Sequence, residues 1–404
     1  MPKNFSFRTA LSFGANNQSS AAEHAFSGKG ARDTAQQRRL VLKAAAALLP
    51  VGSSSLFAQS REQPPMKLSN SNYLPVRDEW LALHTEPVLD PALPIIDAHH
   101  HFYDRPGWTY LADEYRADAG TGHNIRASVY MQAQTRYRLQ GADELKPVGE
   151  TEYVVAATPS SLASIPHVAK GIVGHANLQL GARVRSVLEA HIQAGQGRFK
   201  GIRHLTSWDA DASLLNPVSA GPRGLLLDKT YREGVAQLAP LGLSYDAWLF
   251  FPQLPELIDM AKAFPDTTII VNHCGGAVRI ASYEAHRPEV FETWRKSMRE
   301  LAHLPNVNVK VGGLGMRING FDFEKGEAPP NSTQLAATWK PWMETCIEAF
   351  GPNRCMFESN FPVDKGSYSF ATGWNAFKRL ASGATPTERH ALFEGTVSRV
   401  YRLG

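Results

Sequence analysis

The chain has 404 residues, a formal net charge of +4, 43% hydrophobic and 20% charged residues, which excludes a fibrous or wholly disordered protein and fits an ordinary globular one. The excess charge is local: residues 1–58 hold seven Lys/Arg against two Asp/Glu, and the rest holds 35 basic against 36 acidic residues. A nearly neutral body gives no electrostatic basis for binding nucleic acid or an anionic membrane.

In chain order, residues 1–36 are polar and without periodicity, and are expected to be disordered. Then Gln37-Arg38-Arg39-Leu40-Val41-Leu42-Lys43 leads into the apolar run Ala44–Val51 and a small-residue exit ending at Ala58. The apolar run is too short to span a bilayer as a mature helix. The pattern resembles a twin-arginine export signal, with a basic amphipathic helix as the alternative. The resemblance implies a partnership with the twin-arginine export machinery and cleavage near Ala58. It also implies a periplasmic or otherwise exported product of about 346 residues, with no stable membrane association after cleavage.

An extended, Pro-containing arm follows over residues 59–93. Beyond it, short apolar runs alternate with helical patterns. The predicted strands are Ile95–Ala98, Arg126–Met131, Gly171–Ala176, Phe199–Arg203, Leu243–Trp248, Thr268–Asn272, Val307–Val311 and Cys355–Glu358. Helical patterns between and after them include Val184–Ala194, Leu254–Phe264, Pro288–His303, Thr333–Phe350 and Glu388–Tyr401. Strands alternating with helices imply βαβ units, and eight of them over residues 94–404 predict an α/β protein with a (β/α)₈ TIM barrel. A doubly wound open sheet finds no support, because no strand leads into a G-x-G-x-x-G turn.

Barrel chemistry gathers at the C-terminal ends of the strands. The first strand ends Asp97-Ala98-His99-His100-His101-Phe102. Alternation along a strand sends His99 and His101 to one side and His100 to the other. Two imidazoles so placed can converge on a substrate group or a metal ion; a hydrogen-bonded core pair is the plainer alternative. The fourth strand ends Lys200-Gly201-Ile202-Arg203, the sixth Asn272-His273-Cys274-Gly275-Gly276, and the eighth continues Glu358-Ser359-Asn360-Phe361-Pro362-Val363-Asp364.

These four segments, in barrel order, resemble the amidohydrolase superfamily. The likeness is to its amidohydrolase-related branch, which includes sugar-acid lactonases, 4-sulfomuconolactone hydrolase and 2-pyrone-4,6-dicarboxylate hydrolase. The resemblance implies hydrolysis at the barrel mouth, with His99, His101 and His273 polarising a substrate carbonyl or binding one metal. It also shows departures. The family's fifth-strand His is missing from Ser244-Tyr245-Asp246-Ala247-Trp248, and Asn360 stands where many members carry Asp. An amide oxygen is too weakly basic to serve as a general base. The expectation is therefore either no strictly required cofactor or one weakly bound Zn or Mn at His99 and His101.

Asp364, four residues past Asn360, is the candidate replacement base, with loop capping as its alternative role. Glu358 is read as a structural partner of a barrel Arg or Lys, and Lys200 as too low in its strand to act. Arg203, His204, Arg136, Tyr245 and Arg317 are candidate substrate contacts, since guanidinium forks around one mouth suit a small anionic substrate. Thr135–Glu150 is long enough to act as a lid. The aromatic groups Trp108-Thr109-Tyr110 and Trp248, Phe250 and Phe251 could form walls. Cys274 follows His273 but has no evident activating base, and Cys346 and Cys355 read as core. The reading is a hydrolase acting on a small carboxylated lactone or similar cyclic ester. The alternatives are a metal-dependent decarboxylase of the related barrel family and an exported ligand-binding protein without catalysis.

Overall fold

The structure, a computed structural model, describes residues 73–159, 167–216 and 220–404. The twin arginines, the cleavage region and the first part of the arm lie outside the described residues. In chain order the strands are β1 (Ile95–His100), β2 (Tyr103–Arg105), β3 (Trp108–Tyr110), β4 (Ile125–Met131) and β5 (His167–Gly174). They continue with β6 (Phe199–Ile202), β7 (Ser244–Ala247), β8 (Ile269–Val271), β9 (Val307–Gly312) and β10 (Cys355–Glu358).

Eight of these, β1 and β4 to β10, form one parallel sheet whose spatial order is the sequence order, and they coincide with the eight predicted strands. The sheet closes into a barrel just beyond β10, where Asn360 N donates to His99 O at 2.9 Å and His101 N donates to Phe361 O at 2.8 Å. Closure thus relies on the segment that carries candidate site residues.

Period-two alternation assigns the faces. On β9, Val307, Val309 and Val311 pack outward against the helices, leaving Asn308 and Lys310 inside the barrel. On β10, Cys355 and Phe357 face out, while Met356 joins the small inner core with Ile96, Ala98, Val129 and Ile270. Tyr401 and Leu403 of the C-terminus complete that inner core.

Two features depart from the expectation. The hairpin β2–β3, which turns at Pro106-Gly107, was too short for its periodicity to register as strands. The closing helical stretch is not one helix but Pro386–His390, a π-helical turn Ala391–Gly395 and Thr396–Val400. Among the described residues, no helix is long and apolar enough to cross a membrane.

The described part of the arm is stitched to the barrel. Trp80 Nε1 donates to Gly326 O at 3.0 Å, Asn375 Nδ2 to Glu86 Oε1 at 2.8 Å, and Lys378 Nζ to Leu89 O at 2.7 Å.

Candidate active site

The register of β1 slips between Asp97 and His100. The Asp97 carboxylate sits at this irregularity, accepting from His99 N at 3.2 Å, Ser359 N at 2.8 Å and Tyr115 OH at 2.9 Å. The outcome is that His99 and His101 both turn inward, with their Nε2 atoms 3.0 Å apart. His100 instead stacks on Tyr115 in the helix layer and contacts Ser128 Oγ at 2.9 Å. His101 Nδ1 lies 2.9 Å from Met131 O, so it carries the proton and leaves Nε2 as an acceptor. Burial and neighbouring positive charge hold the pKa of both His99 and His101 well below the usual imidazole range.

His273 follows β8 in a run of left-handed residues, His273, Cys274, Gly275 and Gly276, with φ from 50° to 76°. The turn is pressed close: a Cβ on Gly276 would lie 1.9 Å from Leu249 O, and one on Gly313 would lie 2.3 Å from His273 Nδ1. Glu358 fixes the ring, its Oε1 accepting from His273 N at 3.1 Å and from Nδ1 at 2.7 Å. With Nδ1–H donated to the carboxylate, Nε2 is a free lone pair. Burial lowers the His273 pKa against the opposing pull of Glu358. A buried neutral imidazole oriented by a carboxylate is the arrangement of a general base.

Arg203 is 6% exposed yet has no carboxylate partner among the described residues. Its Nη2 donates to Gln132 O at 2.6 Å, its Nη1 lies 3.3 Å from His99 Nε2, and its Nε has no partner. A buried, under-satisfied guanidinium is costly unless a ligand completes it. Beneath His99 lies Lys310, its Nζ 3.3 Å from His99 Nδ1 and 2.9 Å from Asp246 Oδ1. Asp246 also accepts from Tyr401 OH at 2.7 Å and Asn272 Nδ2 at 3.0 Å.

A small cavity of about 60 Å³ opens over these groups, with His101, Arg203, His273 and Asn360 on its polar side. Trp248, Phe250, Met316, Ile318 and Val363 give it an apolar side. Tyr73, Tyr103, Ser207 and Asn216 also line it. No Asp or Glu is among the described residues that line it.

The other expected site residues fall elsewhere. Asp364 is fully buried with its oxygens taken by Gly315 N at 2.9 Å, Tyr368 OH at 2.7 Å and Asn360 Nδ2 at 2.8 Å. Burial pushes its pKa up to about 7 despite those bonds. It orients Asn360, whose Oδ1 is left without a partner, and does not reach the cavity. Tyr245 neighbours the inward Asp246 and so faces outward, where its hydroxyl pairs with Tyr231 OH at 2.8 Å. His204 sits in the helix layer, where its Nδ1 accepts from Leu178 N at 3.2 Å.

Arg136 pairs with Asp104 at the surface, and Arg317 is exposed between two cavity residues that face the other way. The base of the Thr135–Glu150 segment is closed by Glu150, which accepts from Ala133 N at 2.7 Å and Thr135 N at 3.0 Å. Cys274 is buried, and burial pushes its thiol well above the usual range, which disfavours the thiolate. Glu358 partners two histidines rather than an Arg or Lys, because β10 delivers it between the ends of β1 and β8. Lys310 was missed in sequence, although the alternation Val-Asn-Val-Lys-Val held the signal. Tyr73 and Tyr103 carried no pattern.

Does the donor set fit a divalent metal? Ligand atoms of His99, His273 and Glu358 all lie within 4.8 Å of one another. The facing Nε2 atoms of His99 and His101, with Met131 O and Glu358 Oε2 near their Nδ1 atoms, also suit a metal and its supporting shell. The residues can hold one. Two fixed cations, Arg203 and Lys310, already touch the His99 ring and oppose a further positive charge.

Comparisons with known proteins identify the family. The chain is 35% identical to an uncharacterized protein, y4mH, of Sinorhizobium fredii, over 73% of this chain and 86% of that one. It is 27% identical to an L-fucono-1,5-lactonase of Burkholderia multivorans, over 76% of this chain and 96% of that enzyme. A crystal structure of an amidohydrolase from Burkholderia multivorans with bound zinc shares the fold, with a TM-score of 0.59 at 24% identity over 77% of this chain and 99% of that one. The family model described as amidohydrolase matches residues 96–403. The barrel, the histidine cluster at its mouth and this match over most of the chain place the protein in the amidohydrolase family.

Proposed function

We propose that the protein hydrolyses the lactone, or a similar cyclic ester, of a small carboxylated acid. The observation that carries this reading is the His273–Glu358 pair at 2.7 Å beside an under-satisfied, buried Arg203. The name of the Burkholderia lactonase supports the lactone, and the carboxylate rests on Arg203.

His273 Nε2 takes a proton from a water in the cavity, and the water oxygen attacks the lactone carbonyl carbon. Glu358 holds the ring in the required tautomer and stabilises the imidazolium that forms. Asn360 Oδ1, unpartnered and lining the cavity, accepts the second hydrogen of that water. Arg203 binds the substrate carboxylate, and its fixed charge stabilises the developing oxyanion in a water-poor site. Collapse breaks the ring C–O bond, and the imidazolium returns its proton to the departing oxygen, giving the open hydroxy acid. A divalent ion held by His99 and His101, with the His273–Glu358 pair adjoining, would add Lewis-acid polarisation of the carbonyl.

Because this chemistry is carried by side chains, the metal is not strictly required. The test is a panel of carboxylated and neutral lactones assayed for ring opening with wild type and Arg203→Met. Hydrolysis of carboxylated lactones, with KM raised about tenfold or more in Arg203→Met, is expected. Carbon dioxide release from carboxylated aromatics without lactone opening would replace this reading with the decarboxylase one, and ligand binding without turnover would replace it with the binding-protein one.

A further inference from the structure

Lys310 is fully buried inside the barrel and is not among the residues that line the cavity, and the proposed hydrolysis gives it no task. Its ammonium nevertheless meets the His99 ring. Nζ lies 3.3 Å from His99 Nδ1, 2.9 Å from Asp246 Oδ1 and 5.3 Å from the centre of the Tyr401 ring. The same Asp246 oxygen accepts from Tyr401 OH at 2.7 Å and from Asn272 Nδ2 at 3.0 Å. His99, Asp246, Lys310 and Tyr401 are all 0% exposed, so no bulk water competes for these contacts. The ammonium is held in one place by a carboxylate that is itself held from β8 and from the C-terminal segment.

A neutral imidazole carries one proton, on Nδ1 or on Nε2, and its contacts decide which. An ammonium and a guanidinium can only donate. With the proton on Nε2, His99 Nδ1 accepts from Lys310, and Nε2–H donates to His101 Nε2 at 3.0 Å. His101 Nε2 is able to accept because its Nδ1 donates to Met131 O. One contact is then unmatched, that of Arg203 Nη1 at 3.3 Å from His99 Nε2. With the proton on Nδ1, the Arg203 contact is matched. Lys310 then faces an N–H, and two lone pairs face each other across 3.0 Å between His99 and His101. Glu358 Oε2 does not rescue this second form: it lies 3.0 Å from His99 Nδ1 yet makes no hydrogen bond. The first form satisfies more of the ring.

We propose that Lys310 is a positioning residue that latches His99 with its proton on Nε2 and thereby closes the His99–His101 pair to a metal ion. A ring nitrogen that carries a proton has no lone pair to give an ion. To ligate through Nε2, His99 must lose that proton and gain one on Nδ1, where the Lys310 ammonium points. One proton leaves and one is taken up, so none is released. Ligation therefore breaks both the Lys310–His99 bond and the His99–His101 bond. Asp246, fixed by Tyr401 and Asn272, keeps the ammonium where it opposes this change. The latch is set from inside the barrel, away from the cavity. It goes beyond the lactonase reading and holds whatever substrate the mouth takes.

The experiment has two arms on the metal-free protein. Nitrogen NMR of the imidazole rings reads the tautomer directly, with the His99 signals assigned by their loss in His99→Asn. Zinc affinity is measured by competition with a chromophoric chelator for wild type, Lys310→Met and the double variant Lys310→Met with Asp246→Asn, with a melting temperature for each. The double variant removes both charges of the pair, which guards against unfolding by an unpaired Asp246. Wild type should carry the His99 proton on Nε2, and both variants should bind Zn²⁺ about tenfold or more tightly than wild type. A merely structural Lys310 would move the melting temperature and leave the zinc affinity alone. A His99 proton on Nδ1 in wild type overturns the latch without any variant. Zinc affinity equal to wild type in a folded variant overturns it as well. Both readouts are independent of turnover, so failure of the lactonase reading leaves this result standing, and the reverse.

Discussion

At the scale of single residues the proposed chemistry turns on one proton. Glu358 Oε1 accepts from His273 Nδ1 at 2.7 Å, so His273 presents a lone pair to the cavity, as the proposed base must. The sequence suggested a different division of labour, with Asp364 as base and His273 as a carbonyl polariser. That reading could not see that Asp364 is spent on Gly315, Tyr368 and Asn360. Glu358→Gln keeps the volume but removes the charge that stabilises the imidazolium; kcat should fall about a hundredfold or more while the melting temperature changes little, as measured by steady-state kinetics and calorimetry. A fall of less than tenfold would take Glu358 out of the mechanism.

The same pair sets the pH profile. Burial lowers the His273 pKa, and a base must be neutral to act, so activity is present above the folded pKa and lost as pH falls through it. The acid limb of kcat/KM should therefore lie below the ordinary imidazole pKa of about 6.5. A limb well above that value would point to a different base.

At the scale of elements, much was readable because strand alternation and turn residues are local signals. All eight barrel strands lie where apolar runs alternate with helical patterns, and His99, His101, Arg203, His273 and Asn360 meet at one end of the barrel. What the sequence hid was tertiary. The supposed lid at Thr135–Glu150 is long in sequence, but Glu150 folds back to cap the end of β4 through Ala133 N and Tyr130 OH. Tyr245 and Asp246 are adjacent, and only the sheet decides which faces inward. The turn after β8 and the glycine just past β9 form one device: Gly313, at φ 65°, lies against the His273 ring. Gly313→Ala should lower stability by about 1–3 kcal/mol, from the left-handed backbone and the displaced ring. It should also lower kcat by about tenfold or more through misplacement of His273. Denaturant titration and kinetics on the same preparation check both, and a fully active Gly313→Ala would show that the ring position is not critical.

At the scale of the whole molecule the charge is divided between a basic leading segment and a neutral body. We propose that the chain is exported through the twin-arginine route. Replacing Arg38 and Arg39 together with Lys should leave full-length precursor in the cytoplasm on fractionation, and unchanged delivery of the double variant would refute the route. In the body, the mouth holds two buried cations, Arg203 and Lys310, and two buried carboxylates, Asp246 and Glu358. Lys310 is paired with Asp246, Glu358 bonds His273 and lies 3.0 Å from His99, and Arg203 awaits an anion. A divalent ion placed among His99, His101 and His273 would meet two fixed cations at the His99 ring, so it should bind weakly and contribute little to rate. The direct test is kcat for a good lactone substrate, measured for wild type before and after exhaustive chelation and for His273→Ala. Chelation should lower kcat by less than tenfold, on the order of 1 kcal/mol in barrier, and His273→Ala by about a hundredfold or more. Abolition of turnover by the chelator, with recovery on adding Zn²⁺ or Mn²⁺, would contradict the account and make the metal the centre of the chemistry.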